Sequence, residues 1–136
     1  MSYRLSALAV GALLLAGAAP ADAAGGITVV SPKAGTTIDA GTTPTFKLRV
    51  KGSGQVWVHV CASRRKDAKG VICSDESIGR AKRHNGVFRY TPKFFDFPSF
   101  WLNSPGTYYW QAHRVACRHG SADCRQEGPI VRIKVS

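Results

Sequence analysis

The sequence predicts an all-β fold: a seven-stranded sandwich over residues 24–136, following a cleavable signal peptide over residues 1–23. Three observations predict it. Short runs rich in Val, Ile, Thr, Tyr and Phe recur between clusters of Gly, Pro, Ser and Asn, as in sandwiches and barrels. Several runs alternate apolar and charged residues with a period of two, and no segment beyond the N-terminus sustains a helical period.

The N-terminus has the three parts of a secretory signal. Arg4 supplies the positive end, an uncharged, largely apolar run follows from Leu5 to Ala19, and Pro20-Ala21-Asp22-Ala23 offers small residues for a cut before Ala24. The run is shorter than the ~20 residues that span a bilayer. Beyond Ala24 no uninterrupted apolar segment is long enough to cross one, so the expected product is an exported, soluble, monomeric domain.

Ile27 to Val30 reads as a first strand, stopped by Ser31-Pro32 and the turn Lys33-Ala34-Gly35. From Thr45 to Lys51, Phe46, Leu48 and Val50 share one face and Lys47, Arg49 and Lys51 the other, which is a half-buried strand with a basic outer side. Val56 to Cys61 carries apolar bulk on both faces and is expected to be central. A polar stretch, 62–70, leads to Val71-Ile72-Cys73. Ser77 to His84 reads as a short edge strand, and Asn85-Gly86 is a hairpin turn before Val87 to Thr91. A long strand runs from Tyr108 to Cys117, and a last one from Ile130 to Val135 sets Val131, Ile133 and Val135 inward and Arg132 and Lys134 outward.

The turn and strand that follow residue 105 carry a resemblance. Pro105-Gly106-Thr107-Tyr108-Tyr109-Trp110-Gln111 resembles the segment that opens strand F in fibronectin type III and immunoglobulin-like sandwiches. In those families a tyrosine there bonds back to the preceding corner through its hydroxyl, and Tyr108 matches it. Trp110 stands where antibody domains carry a cysteine, so their inter-sheet disulfide is not implied. The chain is also similar to the small secreted apoproteins that carry enediyne antibiotics, of the neocarzinostatin kind, in size, sandwich fold and two short-range disulfides. That likeness implies a small-molecule carrier with an apolar cleft, although the strong positive charge departs from it.

Four cysteines, Cys61, Cys73, Cys117 and Cys124, all lie beyond the signal. An even count in an exported chain argues for disulfides. Three pairings are possible; Cys61–Cys73 and Cys117–Cys124 join segments that the strand order already brings together. Each bridge contributes roughly 2–3 kcal/mol by restricting the unfolded chain. The alternative, zinc held by cysteines with His113 or His119, lacks the usual close ligand pairs.

The chain has 19 Lys and Arg against 8 Asp and Glu, a formal charge of +11. Such an excess suits acidic partners. Arg64, Arg65, Lys66 and Lys69, with Arg80, Lys82 and Arg83, concentrate it, and could grip a polyanion; the competing use is protection of an edge strand against aggregation. The aromatic run Phe94, Phe95, Phe97, Phe100 and Trp101, broken by Pro98, is either a plug in one end of the core or an exposed platform for a ligand. Trp57 and Trp110 lie inside strands and read as core. His59 reads as a sheet-face residue, and His84, His113 and His119, each beside an arginine, as solvated basic surface.

No nucleophile motif and no phosphate-binding glycine loop is present, and no cofactor is expected. The reading is a secreted, non-catalytic binding or adhesion module for an anionic glycan, a cell-wall polymer or another protein. The carrier is the alternative, and an enzyme of unrecognised type the remainder.

Overall fold

The computed structural model describes residues 23–61, 78–92, 102–116 and 125–136. They form ten strands: β1 (Ala23–Ala24), β2 (Ile27–Ser31), β3 (Thr37–Ile38), β4 (Phe46–Val50), β5 (Gln55–Cys61), β6 (Ile78–His84), β7 (Val87–Tyr90), β8 (Gly106–Val115), β9 (Arg125–Glu127) and β10 (Val131–Val135). Seven of them correspond to the runs read from the sequence. The other three, β1, β3 and β9, are two or three residues long and exist through their partners rather than through a pattern of their own.

The order β1-β2-β4-β7-β6-β5-β8-β10-β3, with β9 beside β8, folds into two layers because β6 serves both. Its first half pairs with β5, from Val56↔Ala81 to His59↔Ile78. Its second half pairs with β7, from Lys82↔Arg89 to His84↔Val87. The first sheet therefore contains β1, β2, β4, β7 and the end of β6. The second contains the start of β6, then β5, β8, β9, β10 and β3. All pairings are antiparallel except β3 on β10, where Lys134 faces Thr37. The chain crosses from the first sheet to the second between β2 and β3. This is the fibronectin III and immunoglobulin-like arrangement, with A, B and E strands facing C, F and G.

Strand alternation builds the core. Phe46, Leu48, Ile27 and Val29 of the first sheet meet Val56, Val58, Val60, Trp110, Ala112, Val131, Ile133 and Val135 of the second, all buried. Phe46 and Trp110 pack across the layers with ring centroids 5.1 Å apart. Trp110 also donates its indole N–H to the Pro32 carbonyl at 3.1 Å, which ties the sheet crossing to the core. The Tyr108 hydroxyl donates to the Ser104 carbonyl at 2.9 Å, and burial raises its pKa. Leu102 is buried in the same core, and its carbonyl accepts the Gly41 N–H.

Two details fix how β6 changes layers. Asn85 and Gly86 have φ of 49° and 76°, the left-handed pair that a two-residue hairpin requires. A Cβ on Gly79 would lie 1.9 Å from the Tyr90 ring, so the strand passes close under that ring only because residue 79 has no side chain.

Candidate functional site

Of the basic cluster expected from sequence, Arg80, Lys82 and Arg83 fall among the described residues, and they line a cleft at one end of the sandwich. It has a volume of about 580 Å³ and is lined by the turn Gly52-Ser53-Gly54, by Gln55 and Val56 of β5, by Arg80 to Arg83 of β6, and by Phe88 of β7. Val56 and Ala81 are buried and Phe88 half-buried, so the floor is apolar, whereas Arg80, Lys82 and Arg83 are exposed around it. The wall opposite β6 is held rigidly. Arg114 donates to the Ser53 carbonyl at 2.6 Å and reaches the Gln126 side chain. Gly52 and Gly54 have φ of 91° and 121°, and a Cβ on Gly54 would lie 2.2 Å from the Val115 carbonyl oxygen. Both conformation and space demand glycine there.

The cations continue beyond the cleft. On the solvent side of the first sheet, Lys47 of β4 lies opposite Arg89 of β7, and Arg89 lies opposite Lys82 of β6. Arg49 stands two residues along β4 from Lys47, on the same face. Buried Phe46, Leu48 and Tyr90 alternate with these residues and fix their direction. The described residues hold twelve Lys and Arg but two carboxylates, Asp39 and Glu127, and the ion pair found among them is Arg125 with Glu127. The sequence shows Lys47 and Arg49 pointing outward; that they form a row with Arg89 and Lys82 depends on register.

The outer side of the second sheet is different. His59, Cys61, Gln111 and His113 lie there, and all four are buried. His59 Nε2 and His113 Nδ1 are 2.6 Å apart. Arg125, which can only donate, has its Nη2 3.3 Å from the same Nδ1. His113 Nδ1 is therefore the acceptor, and His59 donates to it. Burial, then the Arg125 guanidinium and His59, push the His113 pKa down to about 3. Gln111 donates to the Gly128 carbonyl at 2.9 Å. The reading of His113 as solvated surface is thus overturned: β9 returns beside β8 and sets Arg125 against the ring. Trp57 is corrected too, since it is half-buried on this outer side, opposite Arg80, and not in the core. His59 is a sheet-face residue, and with His113 shut away from solvent the pair serves structure.

Cys61 is fully buried and disulfide-bonded, so it is not a thiolate ligand for zinc. Among the described residues no three His, Cys, Asp or Glu side chains come together as metal ligands would. Of the site residues expected from sequence, Cys73, Cys117, Cys124, Arg64, Arg65, Lys66, Lys69, Phe94, Phe95, Phe97, Phe100 and Trp101 lie outside the described residues.

No family model matches the chain, and no curated protein matches it. Solved structures do. The fibronectin(III)-like modules of CbhA from Clostridium thermocellum are 20% identical, with a TM-score of 0.44 over 81% of this chain and 45% of that one. A chimeric titin Z1Z2 functionalized with a KLER exogenous peptide from decorin is 15% identical, with a TM-score of 0.36 over 85% of this chain and 48% of that one. The chain spans about half the length of these structures.

Proposed function

We propose that this chain is exported, cut before Ala24, and acts as a non-catalytic module that binds an anionic polymer at a cell surface. The observation that carries the reading is the cleft with an apolar floor and the exposed rim Arg80, Lys82 and Arg83, in a region without neutralising carboxylates among the described residues. A cation gains most from an anionic partner where no carboxylate competes for it. Arg64, Arg65, Lys66 and Lys69 belong to the same proposal as a second basic group, as do the pairings Cys61–Cys73 and Cys117–Cys124, which peptide mapping without reduction decides. No helix among the described residues is long and apolar enough to cross a membrane.

The test is retention on immobilised heparin. Binding through released counterions weakens steeply as salt rises, and Arg80→Gln/Lys82→Gln/Arg83→Gln should elute at clearly lower salt than the parent. Unchanged elution would remove the cleft as the site. Mass spectrometry of the exported protein should find a chain beginning at Ala24, and a full-length product retained with the membrane would contradict the processing step.

A further inference from the structure

The row Lys47, Arg89 and Lys82 is a problem for the fold taken alone. Neighbouring strands lie about 4.8 Å apart, and like charges placed directly opposite each other across a ladder are destabilising. Two such oppositions in succession, Lys47↔Arg89 and Arg89↔Lys82, share one arginine, with Arg49 close by on the same face. Edge protection explains only part of this. β6 lends each sheet an edge, so charge on Arg80, Lys82 and Arg83 has that second use. β4 lies between β2 and β7, and β7 between β4 and β6. Neither is an edge, and Lys47, Arg49 and Arg89 guard nothing.

The rest of the face narrows what would neutralise them. Among the described residues its other outward positions include Ala23, Thr28, Ser31, His84 and Val87, exposed or half-buried. Among the described residues it carries no tryptophan, tyrosine or phenylalanine on which a sugar ring or a base could stack, and the amide beside it, that of Asn85 in the hairpin turn, lies at its margin against His84. What it offers is charge, two of the four groups being guanidinium forks that match tetrahedral oxyanions in two hydrogen bonds at once.

We infer that the solvent face of the first sheet, through Lys47, Arg49, Arg89 and Lys82, is a track crossing the strands, along which a linear polymer with phosphate in its backbone continues from the cleft. This rests on the reading of the cleft as a polyanion site and adds the route and the chemical class of the polymer. Lys82 belongs to both cleft and row, which joins them into one path.

Long-chain inorganic polyphosphate and pyrophosphate are the probes, measured by calorimetric titration over a series of salt concentrations. For polyphosphate, Lys47→Gln/Arg89→Gln should flatten the slope of log affinity against log salt by roughly 0.7–0.9 per contact removed. It should weaken binding about tenfold at fixed salt, the size expected for two exposed charge contacts. Pyrophosphate, too short to span the row, should bind parent and variant alike. The same variant should melt a few degrees higher without ligand, since the repulsion is relieved, which also shows that it folds. If its slope matches the parent while the triple cleft variant loses slope, the track is wrong and the cleft reading stands. If the parent binds neither polyphosphate nor heparin, both fail. If the double substitution weakens heparin alone, the phosphate assignment is overturned.

Discussion

The outer faces of the two sheets handle polar residues in opposite ways. On the first sheet Arg49, Arg89 and Lys82 stand in solvent with Lys47 half-buried, like beside like. At the centre of the second, His59, Gln111 and His113 are withdrawn from water and bonded to each other or to backbone, while Arg80, Arg132 and Lys134 stand exposed toward its margins. A buried polar group without a partner costs about 1–3 kcal/mol, so the centre of the second face, on β5 and β8, works as an extension of the core and its residues are fixed by one another. An exposed cation costs little by itself, so the first face is free to collect charge that the fold does not use. The difference separates what holds the domain together from what is left available to a partner.

The largest expected effect lies where β6 passes between the faces. Gly79→Ala would force a methyl into the Tyr90 ring, and overpacking against a buried ring costs about 3 kcal/mol, the upper end of its usual range. Chemical denaturation should show that loss with an unchanged dependence on denaturant. If Gly79→Ala is neutral, the two faces are less tightly coupled through β6 than the geometry requires.

Acid should then distinguish the faces. The folded pKa of His113 is about 3, well below the ~6.5 of an unfolded histidine. A depressed pKa means that the neutral form is favoured on folding. This contribution is fully present above pH ~6.5 and is lost as pH falls from there toward 3, because the unfolded chain takes up a proton that the folded one refuses. Between pH 7 and pH 5 the loss should be about 2 kcal/mol. In His113→Gln the portion of the acid slope owed to this group should vanish, measured as unfolding free energy against pH. An identical slope in variant and parent would mean that the ring is not held neutral. A smaller effect belongs to Gln111→Ala, which leaves the Gly128 carbonyl short of its donor and should cost about 1–2 kcal/mol.

What the sequence shows of this molecule is what local pattern determines. Val131, Ile133 and Val135 alternate with Arg132 and Lys134 inside five residues, and Asn85-Gly86 states its own turn, so both are legible without partners. β3 is not, because Thr37 and Ile38 become a strand only beside Lys134 and Val135, almost a hundred residues away. The sheet change in the middle of β6 is equally hidden, since Ala81 and Lys82 differ in partner and not in propensity. The same limit applies to the sites. Arg80, Lys82 and Arg83 stand out as a cluster in the chain, whereas Lys47 and Arg89 are 42 positions apart and meet through register. His113 misleads because its neighbour Arg114 suggests surface, while burial there depends on what β9 brings to it.

The smallest expected effect is the response of folding stability to an indifferent salt. At about 20 mM salt, charges on neighbouring strands of the first sheet repel almost unscreened, whereas at about 0.2 M the Debye length falls to roughly 7 Å and the repulsion between successive rungs weakens. Sodium chloride should therefore stabilise the parent by a few tenths of a kcal/mol to about 1 kcal/mol, the range for like pairs across a ladder. Most proteins gain something from salt in other ways, so the informative quantity is the difference between variants. Lys47→Gln/Arg89→Gln removes both oppositions and should lose most of the gain. His113→Gln, compared at about pH 7.5 where the parent's His113 is largely neutral both folded and unfolded, should keep it. Melting curves of the three proteins across the salt series give the answer. If the double variant responds to salt as the parent does, the row is not repelling itself, and no stored repulsion favours a partner on that face.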